Sequence, residues 1–499
     1  MPKNKDNNIS LDDIYFFMNN PNEFKFTDFT KKRIIQSYER VQKMALSEKA
    51  VYGINTGFGP LCTTKISSDE TESLQKNLLL SHSVGVGNPI APELSKLMLI
   101  CKIQSLSKGY SGIRLEILDR LIYFIQNNLT PFVPEKGSVG ASGDLAPLAH
   151  LFLPLIGNGF FWDGKEKINA AFVLKKHNLT PFSLHAKEGL ALINGTQFIL
   201  AHAIKAISKL TYLLNLADLA AAMSLEGFQG SLAPFKEELH ELRPFAGNKK
   251  VAKRIRGLLK NSQNSDSHKN CDRVQDPYSI RCTPQVHGAS RNALNHVKEL
   301  VEIEINSVTD NPVIIDDNTS ISGGNFHGQP LAIALDYLKV AAAEIGNISD
   351  RRSYLLLEGL HGLPVMLTEN PGLNSGFMIT QYTTAALVSE NKSLCFPSSA
   401  DSIPTGMGQE DHVSMGSISG RKCLEVIDNL EKIIAIELLH SAQSLEFRRP
   451  NTFSSAIEKT LLIIRKNVKK LENDRVLSTD IEIVTKLIEN QSLNVYPEL

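Results

Sequence analysis

Apolar residues recur along much of this chain at the helical spacing of three and four. In Leu424–Leu445 they fall at Val426, Ile427, Leu430, Ile433, Ile434, Leu438 and Leu439, while Glu425, Asp428, Lys432 and His440 are free to face elsewhere. The spacing predicts a long amphipathic helix. Thr196–Leu225, Gln329–Ile348 and Tyr382–Ser393 read the same way, and their alanines let helices approach closely. The expected fold is mainly α, with a helical bundle as its body. Strand signals are short: Val308–Ile315 reads VTDNPVII, with a turn at Asp310-Asn311-Pro312. The polar stretch Asn261–Arg273, NSQNSDSHKNCDR, is expected to be an exposed loop within one unit, with a linker as the alternative.

Four glycine-rich runs interrupt the helical pattern: YGINTGFGP from Tyr52, GSVGASGDLAPLAH from Gly137, EGLALINGTQ from Glu188 and SGGNFHG from Ser322. Glycine costs a helix about 1 kcal/mol against alanine, so such runs mark tight turns or close approaches and are the places to look for a site.

Composition narrows the function without naming it. The chain has 499 residues, with 53 Lys plus Arg against 53 Asp plus Glu. That balance gives no overall attraction to nucleic acid or to an anionic membrane. The most apolar stretch, Phe198–Met223, is broken by His202, Lys205, Lys209 and Asp218, short of the run of about 18 residues a membrane span needs. Met1–Asp13 has no apolar core and no small-residue cleavage site, so a secretory signal is not expected and a cytoplasmic location is. Cys62, Cys101, Cys271, Cys282, Cys395 and Cys423 form no C-x-x-C pair, which argues against structural zinc and a disulfide framework.

Gly137–Asp144 admits three readings. One is a turn before a helix capped by Asp144, with Pro147 in its first turn. A phosphate cradle is disfavoured, because the glycines at 137, 140 and 143 match neither Walker nor G-x-G-x-x-G spacing. The third is chemical. In a tight turn the Gly143 nitrogen attacks the Ala141 carbonyl carbon and closes a five-membered ring, unobstructed by a side chain. Loss of the ring oxygen and of the Ser142 hydroxyl as two waters leaves an exocyclic methylene conjugated with the ring, 4-methylidene-imidazole-5-one (MIO), an electrophile.

The runs YGINTGFG, LLLSHSVGVG, GSVGASGDLAPLAH, EGLALINGTQ, VQDPYSIRCTPQVHG, SGGNFHG, NSGFM and QEDHVSMG occur in the order in which they occur in one family. From about Val51 to Phe447 the chain resembles the histidine ammonia-lyase family, which groups with the phenylalanine and tyrosine ammonia-lyases that use MIO. The resemblance implies a long central helical bundle, residues 206–499, and a smaller N-terminal domain, 1–205, that carries the prosthetic-group loop. It also implies a homotetramer whose active sites draw on three subunits, with no metal and no external cofactor.

Elimination of ammonia from an α-amino acid needs an electrophile for the amine and a base for the weakly acidic β-proton. By resemblance, Ala141, Ser142 and Gly143 supply the first. Tyr52 and Tyr278 are both candidates for the second; the sequence does not assign it, and Tyr52 is favoured. A free phenol titrates near 10, so either needs positive charge nearby. Arg281 resembles the carboxylate clamp, a task suited to a planar guanidinium. Asn194 and Gln275 match positions that hydrogen-bond the prosthetic group and the amino-acid end of the substrate, and Phe326 matches one that packs on the prosthetic group.

Ser81-His82 stands where the family's substrate selectivity lies, His82 being able to hydrogen-bond an imidazole. Met378 matches a residue lining the same pocket, and Glu410 an acid that holds the imidazole N–H or moves a proton. Gly406-Met407-Gly408 departs from the family's usual Ser-Ala-Asn before QEDH, and that leaves the pocket around Glu410 more loosely framed. Some tyrosine lyases share Ser-His, but QDPYSIRC and QEDHVSM together favour L-histidine, converted to trans-urocanate. Tyrosine or phenylalanine lyase or aminomutase activity is the alternative. The serine-loop signature of fumarase-type lyases is absent from the sequence, and a non-catalytic scaffold would have no use for Ser142.

Overall fold

A computed structural model describes residues 8–47, 50–57, 59–61, 64, 66–67, 70–268 and 273–494. Cys62, Cys271 and the first seven residues of Met1–Asp13 lie outside these. The helices that matter below are α1 (Thr71–His82), α2 (Pro92–Leu106), α3 (Leu145–Phe152), α4 (Glu188–Ile193), α5 (Gln197–Phe228), α6 (Gln263–Ser267), α7 (Tyr278–Arg281), α8 (Thr283–Ile305), α9 (Gln329–Leu357), α10 (Met378–Leu394) and α11 (Gly416–Glu446). Among the described residues, strands are confined to three antiparallel pairs: β1 (Val86–Pro89) with β2 (Pro134–Lys136), β3 (Phe160–Asp163) with β4 (Glu166–Asn169), and β5 (Val313–Ile314) with β6 (Ser320–Ile321). The strand expected over Val308–Ile315 shrinks to β5, because Asp310 and Asn311 are held in a turn.

Two compact units make up the chain, each assembled from three segments. The first comprises 1–205, 298–336 and 397–421; the second comprises 206–297, 337–396 and 422–499. The segments 298–336 and 397–421 thus group with the N-terminal residues, where the sequence suggested one contiguous domain from 206 onward. Contact along long helices does not respect a single cut.

In the first unit α2 is buried from Leu94 to Leu106 on almost every side, the pattern of a helix inside a core. It nevertheless carries Lys102, only 1% exposed. In the second unit the part of α11 after Lys432 is buried on all faces, His440 included. His440 does not take an outer face as the periodicity suggested; its Nε2 lies 2.6 Å from the Thr380 hydroxyl. Several buried charges of this unit are paired. Arg352 donates to both oxygens of Glu437 at 2.5 and 2.9 Å, and Asp218 accepts from Arg254 at 2.9 Å and from His287 at 2.8 Å. Paired in this way, buried ions avoid the several kcal/mol that an isolated one costs.

The polar stretch after Asn261 is not simply an exposed loop. Ser262 caps α6, and Asn264 and Ser265 are buried. Asn264 Nδ2 donates to Glu226 Oε2 at 2.6 Å, and Ser265 Oγ donates to Glu226 Oε1 at 3.2 Å. A buried carboxylate needs such donors, which is why a segment poor in apolar residues folds inward. Among the described residues no helix is long and apolar enough to cross a membrane, and no three His, Cys, Asp or Glu side chains are grouped to hold a metal ion.

Candidate active site

The turn 137–144 is built by glycines with positive φ at 137, 140 and 143 and by hydroxyls that tie it down. Gly140 N donates to Ser138 Oγ at 3.1 Å, Ser417 Oγ donates to the Ser138 carbonyl at 2.6 Å, and Met415 N donates to the Val139 carbonyl at 2.9 Å. Ala141 packs with Val413 and Met415. The turn is therefore bracketed by the segment after Glu410, 270 residues later in the chain.

Gly143 has φ +72° and forms a one-residue parallel bridge with Gly195. A Cβ on Gly143 would run into the Gly195 carbonyl oxygen and come within 3.0 Å of the Phe326 carbonyl. Asp144 N donates to that Gly195 carbonyl at 2.7 Å. The Asp144 side chain does not bond its own helix, contrary to the sequence reading of a simple cap. Its Oδ2 accepts from Phe198 N at 2.9 Å and Ile199 N at 3.0 Å, and so caps α5 instead. Burial pushes the Asp144 carboxyl up to about 7, against the pull of those two amides.

His82, Ala141, Gly143 and Glu410 line one cavity of about 230 Å3, together with Ser81, Val84, Ser138 and Thr405. The Ser142 hydroxyl points at Glu410 Oε1, 3.5 Å away. Thr405 Oγ1 donates to Glu410 Oε2 at 2.8 Å, and Thr405 N donates to the Glu410 carbonyl at 2.9 Å. The Gly406–Gly408 turn carries the chain round between them, with Gly406 at φ +55° and Met407 94% exposed. Glu410 is thus clamped rather than loosely framed. Thr405, five residues upstream in IPTG, carried no motif that would have singled it out.

His82 ends α1, and its Nδ1 lies 3.0 Å from the Ser81 hydroxyl. Burial holds the imidazole below its ordinary value, while the Leu78 carbonyl and Glu410 oppose that shift. Burial thus favours the neutral ring.

Asn194 is 2% exposed and joins α4 to the turn that meets Gly143. Its Nδ2 donates to the Asn311 carbonyl at 3.4 Å, and its Oδ1 is buried with no hydrogen-bond partner among the described residues. Phe326 reaches Gly143 through its carbonyl. Tyr52 does not line this cavity; it lines a separate one with Lys43, Met44 and Asp317, and its hydroxyl accepts from Gly59 N at 3.4 Å.

Gln275, Tyr278, Arg281 and Met378 belong to the second unit. Gln275 and Tyr278 are exposed, Tyr278 by 70%. The Arg281 guanidinium stands 4.5 Å from the Tyr278 ring centre, with Nε donating to the Asp276 carbonyl at 3.0 Å. This leaves its two terminal nitrogens for a ligand and places a cation against the phenol. Met378 opens α10.

Two observations test whether an MIO ring suits these residues. Position 143 accepts no side chain, so nothing on it obstructs its nitrogen in attacking the Ala141 carbonyl carbon, and Asn194 Oδ1 is, among the described residues, an orphaned acceptor buried beside the turn. Both fit the group. The aromatic amino acid lyase profile matches residues 9–466. Histidine ammonia-lyase of Symbiobacterium thermophilum is 48% identical over 469 residues, 94% of this chain and 92% of that protein. The crystal structure of histidine ammonia-lyase from Trypanosoma cruzi is 41% identical, with a TM-score of 0.89 over 99% of this chain and 95% of that one. Tyrosine aminomutase from Streptomyces globisporus is 32% identical, with a TM-score of 0.92 over 98% of this chain and 97% of that one. The chain belongs to the aromatic amino acid lyase family.

Proposed function

We propose that this protein eliminates ammonia from L-histidine to give trans-urocanate, using an MIO ring made from Ala141, Ser142 and Gly143. The observation that carries the reading is the shared cavity of His82, Glu410 and the Ala141–Gly143 turn. The ring forms when the Gly143 nitrogen bonds to the Ala141 carbonyl carbon, with that oxygen and the Ser142 hydroxyl leaving as two waters. When present, it supplies an electrophile that takes the substrate amine and makes it a better leaving group.

The chain's own residues do the rest. The Ser81 hydroxyl occupies His82 Nδ1, so Nε2 is the nitrogen available to a substrate imidazole. Thr405 occupies Glu410 Oε2, leaving Oε1 for the departing Ser142 hydroxyl and afterwards for the imidazole N–H. Arg281 clamps the carboxylate, Asn194 and Gln275 hold the amino-acid end, and Phe326 and Met378 close the pocket. Tyr52 removes the β-proton, with Tyr278 beside the prosthetic group; the C–N bond breaks as the Cα–Cβ double bond forms.

The protein acts in the cytoplasm as a homotetramer, each active site drawing on several subunits. Support for self-association lies on α9, where Tyr337, Val340, Glu344, Arg351 and Tyr354 are exposed at spacings that keep them on one stripe. On α10, Ile379, Tyr382 and Ala386 form another.

Incubation with histidine, tyrosine and phenylalanine in turn, followed by near-ultraviolet absorbance, tests the substrate. Urocanate from histidine is expected, and none would overturn the proposal. Cinnamate or coumarate from the other two would instead favour the alternative lyases. Intact mass tests the ring, which lowers the chain by about 36 Da, two waters of about 18 Da each.

A further inference from the structure

We propose that Lys102 is a positioning residue for the electrophile: its ammonium, bonded to the Asn194 carbonyl, polarises the Asn194–Gly195 peptide and strengthens the donor that peptide presents to the Ser142 carbonyl. The inference rests on the MIO reading above.

Lys102 sits in the middle of α2 and is 1% exposed, on a helix most of whose other buried residues are apolar. Burying an ammonium there is costly, and its partner is a backbone carbonyl: Nζ donates to the oxygen of Asn194. Asp310, the carboxylate that acts most strongly on it, is already engaged, because Lys187 Nζ lies 2.5 Å from Asp310 Oδ2 and both side chains are buried. Two ammonium groups, Lys102 and Lys187, therefore share a dry region beside the Asn194–Gly195 turn with two buried carboxylates, Asp310 and Asp144. Burial draws the Lys102 amine down to about 7, with Asp310 and Asp144 pulling it back up and Lys187 lowering it further.

The front of the same turn faces the Ala141–Gly143 segment. Gly195 pairs with Gly143 as a parallel bridge, and its carbonyl accepts from Asp144 N at 2.7 Å. In a parallel pair, the residue that accepts from the position after its partner turns its own N–H toward the carbonyl of the position before. That carbonyl is Ser142's, which remains on the ring as its carbonyl. A cation on the Asn194 oxygen draws electron density through the peptide and makes the Gly195 N–H a stronger donor, since hydrogen bonds in series reinforce one another. A fixed donor aimed where negative charge develops is the most effective electrostatic help a protein can give, and in this arrangement Lys102 supplies the charge behind it.

The test compares Lys102→Met, which keeps the volume without the charge, with Lys102→Arg, which keeps charge and donor. Each is checked for folding by circular dichroism and for ring content by the mass deficit of about 36 Da. In Lys102→Met, kcat for histidine per ring-bearing chain should fall about tenfold or more, with KM changed less than about threefold, and Lys102→Arg should recover most of the loss. A kcat for Lys102→Met within about twofold of the parent overturns the proposal. So does an equal loss in Lys102→Arg with both variants folded.

A measurement on the unaltered protein stands if neither variant folds. With serine labelled at its carbonyl carbon, a Raman spectrum excited in the ring's near-ultraviolet band should place the ring carbonyl stretch below that of the same ring free in water. An unshifted stretch overturns the proposal. If the unaltered protein shows neither urocanate nor the mass deficit, the MIO reading itself has failed. A ring-bearing, active parent with an indifferent Lys102→Met defeats this inference alone.

Discussion

Gly143 and Gly195 meet backbone to backbone: a Cβ on the first would strike the carbonyl oxygen of the second, and a Cβ on the second would lie 2.6 Å from Gln197 Oε1 and 2.7 Å from Thr309 Oγ1. Each glycine also has a positive φ, +72° and +134°. On the MIO reading, the contact holds the nitrogen that closes the ring.

Gly143→Ala should therefore leave the tripeptide uncyclised. The expected product is a folded chain of unmodified mass with no ammonia-lyase activity. Intact mass spectrometry decides it, and a deficit of about 36 Da in the variant would show that the contact is dispensable.

The clamp on Glu410 makes a second prediction. Thr405→Val keeps the shape of the side chain but removes the hydroxyl that holds Oε2 at 2.8 Å. A hydrogen bond to a charged group contributes about 1.5–3 kcal/mol, so kcat should drop roughly tenfold while the ring still forms. Steady-state kinetics with histidine, read beside the mass deficit, separates the two effects.

His82→Leu removes the nitrogen offered to the substrate ring. The kcat/KM for histidine should fall roughly 10- to 100-fold, because a site built to hydrogen-bond a substrate discriminates strongly against an unpaired group. Competition between histidine and phenylalanine measures the shift, and an unchanged ratio would place selectivity elsewhere.

Stability should weaken on the acid side. His202 is buried, its Nδ1–H donating to the Phe198 carbonyl at 2.8 Å, and burial pulls its imidazole from 6.5 to about 4. Above pH 6.5 both folded and unfolded chains carry it neutral. As the pH falls toward 4 only the unfolded chain takes up the proton, so this group subtracts up to about 1.4 kcal/mol of stability per pH unit. His202→Gln keeps a donor and does not titrate. Its urea midpoint should fall less between pH 7 and pH 5 than that of the parent.

Asn264→Leu strips the Glu226 carboxylate of its donor at 2.6 Å and the Glu226 backbone carbonyl of one at 3.0 Å. Leaving a buried carboxylate short of partners should cost about 2 kcal/mol or more, seen as a lower urea midpoint at unchanged slope.

The long helices could be read from sequence because burial on one face imposes the 3.6-residue period, as at Val426, Ile427, Leu430 and Ile433. The Ala141–Gly143 turn and its companions were visible because glycine runs are rare in such a chain. What could not be read were polar groups whose purpose is set by something distant in sequence. Asp144 caps α5 rather than its own helix, Asn264 enters the core to serve Glu226, and Lys102 looks like an ordinary position on an apolar helix. Thr405 matters only because Gly406–Gly408 folds it back on Glu410. Each of these depends on a tertiary contact that local pattern does not encode.

The Asp144 cap also bears on the order of events while the chain is being made. A ribosome delivers residues 141–143 well before Gly195, Phe198 and Ile199, and without those three the turn lacks the surface that constrains it. On the MIO reading, a nascent or prematurely terminated chain keeps the tripeptide uncyclised, and the reactive methylene arises only once the template for it has been translated and docked, so incomplete chains would not scatter an alkylating group among the nucleophiles of the cell.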